Sequence, residues 1–149
     1  MIVRPATGAD ADALGQAHAD AFEAPWSGDD ILRFAADPGG RALVAEGEDG
    51  GIAGFILCRL IAGEAEVLTL AVRTAARRRG VASALLGAAI DLTRITAASM
   101  FLEVAEDNLG AIALYAAAGF EPVGRRADYY ARPGAPAADA IVMRRTLNS

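Results

Sequence analysis

The sequence predicts a mixed α/β domain in which helices cover a mostly antiparallel sheet. Three observations predict it. Helical and alternating apolar segments follow one another in the order βααβββαβαββ. Three apolar runs in the middle of the chain are separated only by short turn signals, the mark of an antiparallel meander. The 149 residues, 54% of them apolar, suffice for one core and lie far from the composition of a disordered chain. Residues 1–149 therefore read as a single domain, with no internal repeat and no interdomain linker.

The elements follow in order. "IVRPAT" is a short strand that stops at Pro5. "GADADALGQAHADAF" is a helix with Leu14, Ala17, Ala21 and Phe22 at helical spacing. His18, the only histidine, lies in it beside the core face and reads as structural. "APWSGDDILRFAAD" is a turn and a short helix, with Ser27 as N-cap and Asp30 three residues on. "RALVAE" and "GIAGFILCRL" are strands joined by "GEDG", and "EAEVLTLAV" is the third strand of the meander. A helix then runs through "GVASALLGAAIDLTRI", with Val81, Leu85, Ala88 and Leu92 on one face. "SMFLEV" is a strand. "DNLGAIALYAAAGF" is a helix capped by Asn108 and closed by Gly119. "FEPVGRRA" and "AIVMRRTL" form a last strand pair, joined by a Pro/Gly loop, "DYYARPGAPAAD".

Composition excludes several functions. The net charge of −5 argues against nucleic-acid binding by bulk charge and suits a basic partner. A lone Cys58 in an apolar run rules out an internal disulfide or a cysteine zinc cluster and reads as a buried strand residue. The N-terminus lacks the pattern of a signal peptide, and no apolar run approaches the ~20 residues of a membrane span. The expectation is a cytoplasmic protein.

The sharpest local feature is "ARRRGVASALL". A strand ends at Val72, a loop carries Arg77, Arg78 and Arg79, and a helix starts near Gly80. Free backbone N–H groups and a partial positive charge at a helix start make an anion site, best suited to phosphate. Gly80 and Ala82 leave room for a pyrophosphate to approach the backbone. The competing reading is a solvated charge run.

"VRTAARRRGVASALL" resembles the acyl-CoA pyrophosphate loop of the GNAT acetyltransferases, whose pattern Arg/Gln-x-x-Gly-x-Gly/Ala is carried here by Arg77, Gly80 and Ala82. "LEVAEDNLGAIALYAAAGF" resembles the strand, Asn-capped helix and tyrosine of the same superfamily, and the order of elements matches over essentially the whole chain. "APWS", "LEV", "AIALYAAAGF" and "RRADYYARPGAPAADAIVM" look more narrowly like the RimI subfamily, which acetylates the N-terminal alanine of a small-subunit ribosomal protein. Thr74 and Ala76 stand where that family often has proline and an aromatic residue. Ala105 and Asp107 stand where it often has arginine and serine.

The resemblance implies a GNAT fold with acetyl-CoA in a cleft at a splayed strand pair, and no metal. It implies that Leu70, Ala71 and Val72 offer backbone groups to the pantetheine arm, that Arg77, Arg78, Arg79, Gly80, Val81 and Ala82 hold the pyrophosphate, and that Asn108 contacts the cofactor as well as capping its helix. It makes Glu103 the general base and Tyr115 the general acid. Residue types alone leave an ion pair or edge acid open at Glu103, and a core ring at Tyr115. An α-amine with a pKa near 8 must lose a proton, so a basic role asks for burial around Glu103. Trp26, Tyr129 and Tyr130 either line a peptide cleft or pack loops. The implied partner is the N-terminus of a ribosomal protein, with no membrane and no direct nucleic-acid contact. A small-amine GNAT enzyme, a non-catalytic acyl-CoA-binding module and an RNA-binding protein are the competing functions.

Overall fold

In the computed structural model, which describes residues 1–147, the elements appear in the predicted order. They are β1 (Ile2–Pro5), α1 (Ala11–Ala21), α2 (Gly28–Ala36), β2 (Gly40–Glu46), β3 (Ile52–Ile61), β4 (Glu64–Val72), α3 (Val81–Thr93), β5 (Ser99–Ala105), α4 (Leu109–Ala117), β6 (Glu121–Arg132) and β7 (Ala135–Thr146). The strands form one seven-stranded sheet in the order β1-β2-β3-β4-β5-β7-β6. Among the described residues only β4 and β5 pair in parallel, because α3 crosses between them.

The apolar run "AGFILCRL" is continuous because β3 is covered on both faces. Ile56 and Cys58 join Leu43, Leu85, Leu86 and Met100 in the larger core under α3. Phe55 and Leu57 join Val44, Leu14 and Ile31 in a second core under α1 and α2. Cys58 is buried, and burial pushes its thiol up to about 12, so it packs as a small hydrophobe. Helices α1 and α2 meet at Gly28, where a Cβ would run into the backbone of Ala11. Ser27 caps α2 as expected, its Oγ accepting from the Asp30 N–H at 3.1 Å.

Three expectations are corrected. "DYYARPGAPAAD" is strand rather than loop, since β6 runs to Arg132 and β7 begins at Ala135, leaving only Pro133 and Gly134 in the turn. Pro136 is tolerated because β7 pairs with β5 only from Ala140 onward, so this end projects as a two-stranded ribbon. In α3 the buried stripe is Leu85, Leu86, Ala89, Ile90 and Thr93 along with Val81, while Leu92 is exposed. The stripe is centred about a quarter turn away from the Val81–Leu92 line. In α1, Leu14, Ala17 and His18 are buried, whereas Ala21 and Phe22 are exposed at the helix end.

His18 is a structural core residue. Its Nδ1 accepts the Trp26 N–H at 2.8 Å, and its ring stacks between Phe22 (4.4 Å) and Trp26 (5.0 Å). A proton on Nδ1 would set donor against donor, and burial holds the pKa below the usual 6.5. The unfolded chain therefore takes up this proton first. The contribution is fully present above pH 6.5 and declines as pH falls below it, by at most about 1.4 kcal/mol per pH unit. Denaturant unfolding between pH 5 and 7 should show this decline in the wild type and a flatter profile in His18→Gln.

Candidate active site

The parallel ladder between β4 and β5 is short. It runs from Glu64↔Ser99 to Glu66↔Phe101 and stops, although β4 continues to Val72 and β5 to Ala105. A bulge at Leu68 accompanies the parting: Leu57 pairs with Thr69 while Cys58 pairs with Val67. Beyond it Leu70, Ala71 and Val72 stay paired to β3 on one edge only, which leaves the other edge toward the gap. The strands thus splay, as the sequence resemblance implies.

At the mouth of the splay lies the arginine-rich loop. Val72, Arg77, Gly80, Ala82, Gly110 and Leu114 line a cavity of about 360 Å³ between the end of β4, the start of α3 and α4. Helix α3 opens without a side-chain cap, and its first backbone bond is from Ala84 to Gly80 at 3.0 Å. The N–H groups of Val81, Ala82 and Ser83 therefore open the helix with no acceptor within it. Gly80 takes φ of 77° and Arg78 takes 64°, the latter at a cost of about 1–2 kcal/mol for a residue with a Cβ. Arg77 is exposed but tethered, donating to Val72 O at 3.4 Å and to Asp20 O at 3.1 Å, so the end of α1 braces the loop. Among the described residues none of Arg77, Arg78 and Arg79 pairs with a carboxylate. Unneutralised guanidiniums and free N–H groups around an open cavity fit a pyrophosphate.

The two candidate acid–base residues come from different elements, Glu103 from β5 and Tyr115 from α4. Tyr115 is buried in the main core, edge-on to Phe120 at 6.0 Å. Burial pushes its phenol up to about 12, with a smaller contribution from nearby Tyr130. Burial also raises Tyr130, and the Glu103 carboxylate adds to that shift. Tyr130 thus lies within electrostatic reach of both Tyr115 and Glu103. Asn108 caps α4, its Oδ1 accepting from the Ala111 N–H at 3.2 Å.

Glu103 alternates as expected. Met100, Leu102 and Val104 enter the core, while Phe101 and Glu103 face the other way. The anticipated burial is absent. The Glu103 side chain is 31% exposed, because α1 and α2 cover the sheet only as far as β4, and its Oε1 accepts from Arg126 at 2.9 Å. It borders a second cavity of about 400 Å³ on the uncovered face, floored by Phe101 and Val142 and rimmed by Arg59 and Glu66.

The other predicted residues divide. Val72, Arg77, Arg78, Gly80, Val81 and Ala82 gather at the first cavity, Val81 through its backbone because its side chain is in the core. Arg79 is exposed and does not line it. The side chains of Leu70 and Ala71 are turned into the two cores. Tyr129 and Tyr130 meet edge-on at 5.0 Å beside Glu103's partner Arg126. Trp26 packs between His18 and Phe34 in the α1–α2 junction. From the sequence Arg126, with Arg125, enters only the competing RNA-binding function, and its contact with Glu103 went unnoticed, as did Asp20 and the second cavity. Arg126 carried a signal, as one of two arginines ahead of the paired tyrosines, and the other two carried none.

Residues 11–120 match the Acetyltransferase (GNAT) family. The chain belongs to that family. It is 37% identical over 145 residues to the N-alpha-acetyltransferase RimI of Mycobacterium tuberculosis, covering 93% of this chain and 88% of the relative. It is 35% identical over 121 residues to the [ribosomal protein bS18]-alanine N-acetyltransferase of Escherichia coli K12, covering 80% and 79%. A crystal structure of the ribosomal-protein-S18-alanine N-acetyltransferase from Escherichia coli superposes with a TM-score of 0.90 at 26% identity, over 99% of this chain and 94% of that one. An 82-residue stretch is 48% identical to the protein ML0378 of Mycobacterium leprae, of whose length it spans only 21%. The GNAT family uses acetyl-CoA, and this chain is a GNAT-type N-acetyltransferase with that family's seven-stranded sheet and four helices.

Proposed function

We propose that the protein transfers the acetyl group of acetyl-CoA to the N-terminal alanine α-amine of a small-subunit ribosomal protein. The observation that supports this reading is the early end of the β4–β5 ladder beside three features on neighbouring elements. These are an anion cradle at α3, a carboxylate on β5 and a protonated phenol on α4. The names of the relatives point to the same substrate, and the acidic chain suits a basic ribosomal protein. The reaction then takes place in the cytoplasm, where ribosomal proteins are made.

The N–H groups of Val81, Ala82 and Ser83, with Arg77 and Arg78 around them, hold the pyrophosphate, and Arg79 adds positive charge outside the cavity. The free edge of Leu70, Ala71 and Val72 meets the pantetheine arm, and Asn108 lies beside it. Bound acetyl-CoA supplies an activated thioester. Glu103 accepts a proton from the incoming ammonium, so that the neutral amine attacks directly. Tyr115 Oη returns a proton to the departing sulfur, and its raised pKa keeps it protonated at neutral pH. No residue needs to carry the acetyl group, which agrees with an inert Cys58. Tyr129 and Tyr130 border the peptide path; Trp26 shapes the α1–α2 junction beside it.

Thiol release from acetyl-CoA tests the proposal. An alanine-initiated peptide copying the ribosomal substrate should be turned over, and its N-terminally blocked copy should not. Turnover of polyamines or amino acids in preference to the peptide would instead assign a small-amine enzyme.

A further inference from the structure

We propose that Arg126 is a positioning residue for the acetyl-transfer site, holding one oxygen of Glu103 so that the other faces the incoming amine. This rests on the functional reading above and names a further residue for the same reaction.

The backbone of β6 is deformed where this contact forms. Arg126 pairs with Ala140, but the next register partner is Tyr130 with Ala138. Four steps on β6 match two on β7, so β6 carries two extra residues here. Asp128, inside the bulge, takes φ of 53°, and its N–H is tied to Asp139 Oδ1 at 2.9 Å. Bulges re-aim side chains. This one lays the Arg126 guanidinium over the Tyr129 ring, 4.1 Å from its centroid, with Nη1 2.9 Å from Glu103 Oε1.

Neighbouring cations and acids are already matched. Arg125 binds Glu106 and Asp139, and Arg132 binds Asp107 at 2.9 Å. Arg126 is thereby left to Glu103. An exposed ion pair contributes little to stability, so stability does not account for a bulge built to make one. The pair has a shape suited to chemistry instead. Oε1 is held, while Oε2 makes no hydrogen bond among the described residues. The guanidinium stays charged throughout, and Glu103 reinforces this, so Arg126 neither donates nor removes a proton in the exchange with the amine. Its positive charge beside the carboxylate also favours a neutral amine over an ammonium.

The groups facing Glu103 can be named. Arg126, Tyr129 and Tyr130 come from β6, and Arg144 of β7 lies over Phe101 at 5.6 Å. Across the cavity Arg59 and Glu66, from β3 and β4, satisfy each other at 3.1 Å. Among the described residues only Arg126 bonds Glu103 directly.

The test measures kcat and KM for the wild type, Arg126→Ala and Arg126→Lys, on the alanine-initiated peptide with acetyl-CoA. In Arg126→Ala we expect kcat to fall about tenfold with KM within about threefold, the pattern of a lost transition-state interaction. Arg126→Lys should recover part of the lost kcat, because it restores a cation beside the carboxylate. In a Glu103→Gln background Arg126→Ala should change nothing further, since its effect runs through that carboxylate. An unchanged kcat in Arg126→Ala, or an effect that persists in Glu103→Gln, overturns the inference alone. A wild type that turns over no amine overturns the functional reading and this inference with it.

Discussion

Glu103→Gln should lower kcat on a free N-terminal peptide by about 10²–10⁴-fold, the usual contribution of a general base. Glutamine keeps the size of the side chain and a hydrogen-bonding oxygen for Arg126, so folding should be unaffected. What it loses is the capacity to take a proton. The α-amine has a pKa near 8, so near pH 7 about nine-tenths of it is the unreactive ammonium. The variant should therefore depend on free amine already present. Its rate should climb roughly tenfold per pH unit until the amine's own pKa is passed, and the gap to wild type should narrow at pH 9. A pH profile of kcat/KM checks this. A uniform loss at every pH would mean that Glu103 shapes the site without acting as the base.

Tyr115→Phe should reduce kcat by about 10²-fold, toward the lower end of the same range. A thiol with a pKa near 8.5 leaves more readily than a deprotonated amine would, so its reprotonation is less demanding than the amine's deprotonation. The phenol is held protonated, pushed up to about 12 by burial, and the removed atom is the only donor the ring has. Phenylalanine retains the packing against Phe120 and the main core, so the melting temperature should stay within a few degrees. Loss of activity with stability retained separates a proton donor from a core ring. Loss of both would return Tyr115 to a packing role.

Much of this was legible in the sequence, for identifiable reasons. Element order survived because each element carries its own punctuation, such as Pro5, Ser27, Asn108 and Gly119. The place of the first cavity was legible because a strand end, a glycine and a helix start must lie together whatever the tertiary structure. Alternation put Glu103 opposite Met100 and Leu102, and that is local too. What was not legible depends on long-range register. Whether Glu103 is covered is decided by how far α1 and α2 extend across the sheet, and they stop at β4. The long β6–β7 hairpin was hidden because "DYYARPGAPAAD" has the composition of a loop, while its pairing is set by partners across the turn. Arg126 reaches Glu103 only because a bulge shifts β6 against β7, and no spacing within the sequence marks that bulge. Leu92 was misjudged by a rotation of α3 that only packing fixes.

The most direct measurement is tandem mass spectrometry of one peptide that begins with alanine and also contains an internal lysine, incubated with the protein and acetyl-CoA. The account predicts a single added acetyl group, located by fragmentation on the N-terminal residue, with the lysine unmodified and the N-terminally blocked copy unchanged. Acetyl on the lysine, or no peptide product while acetyl-CoA still binds, would contradict it.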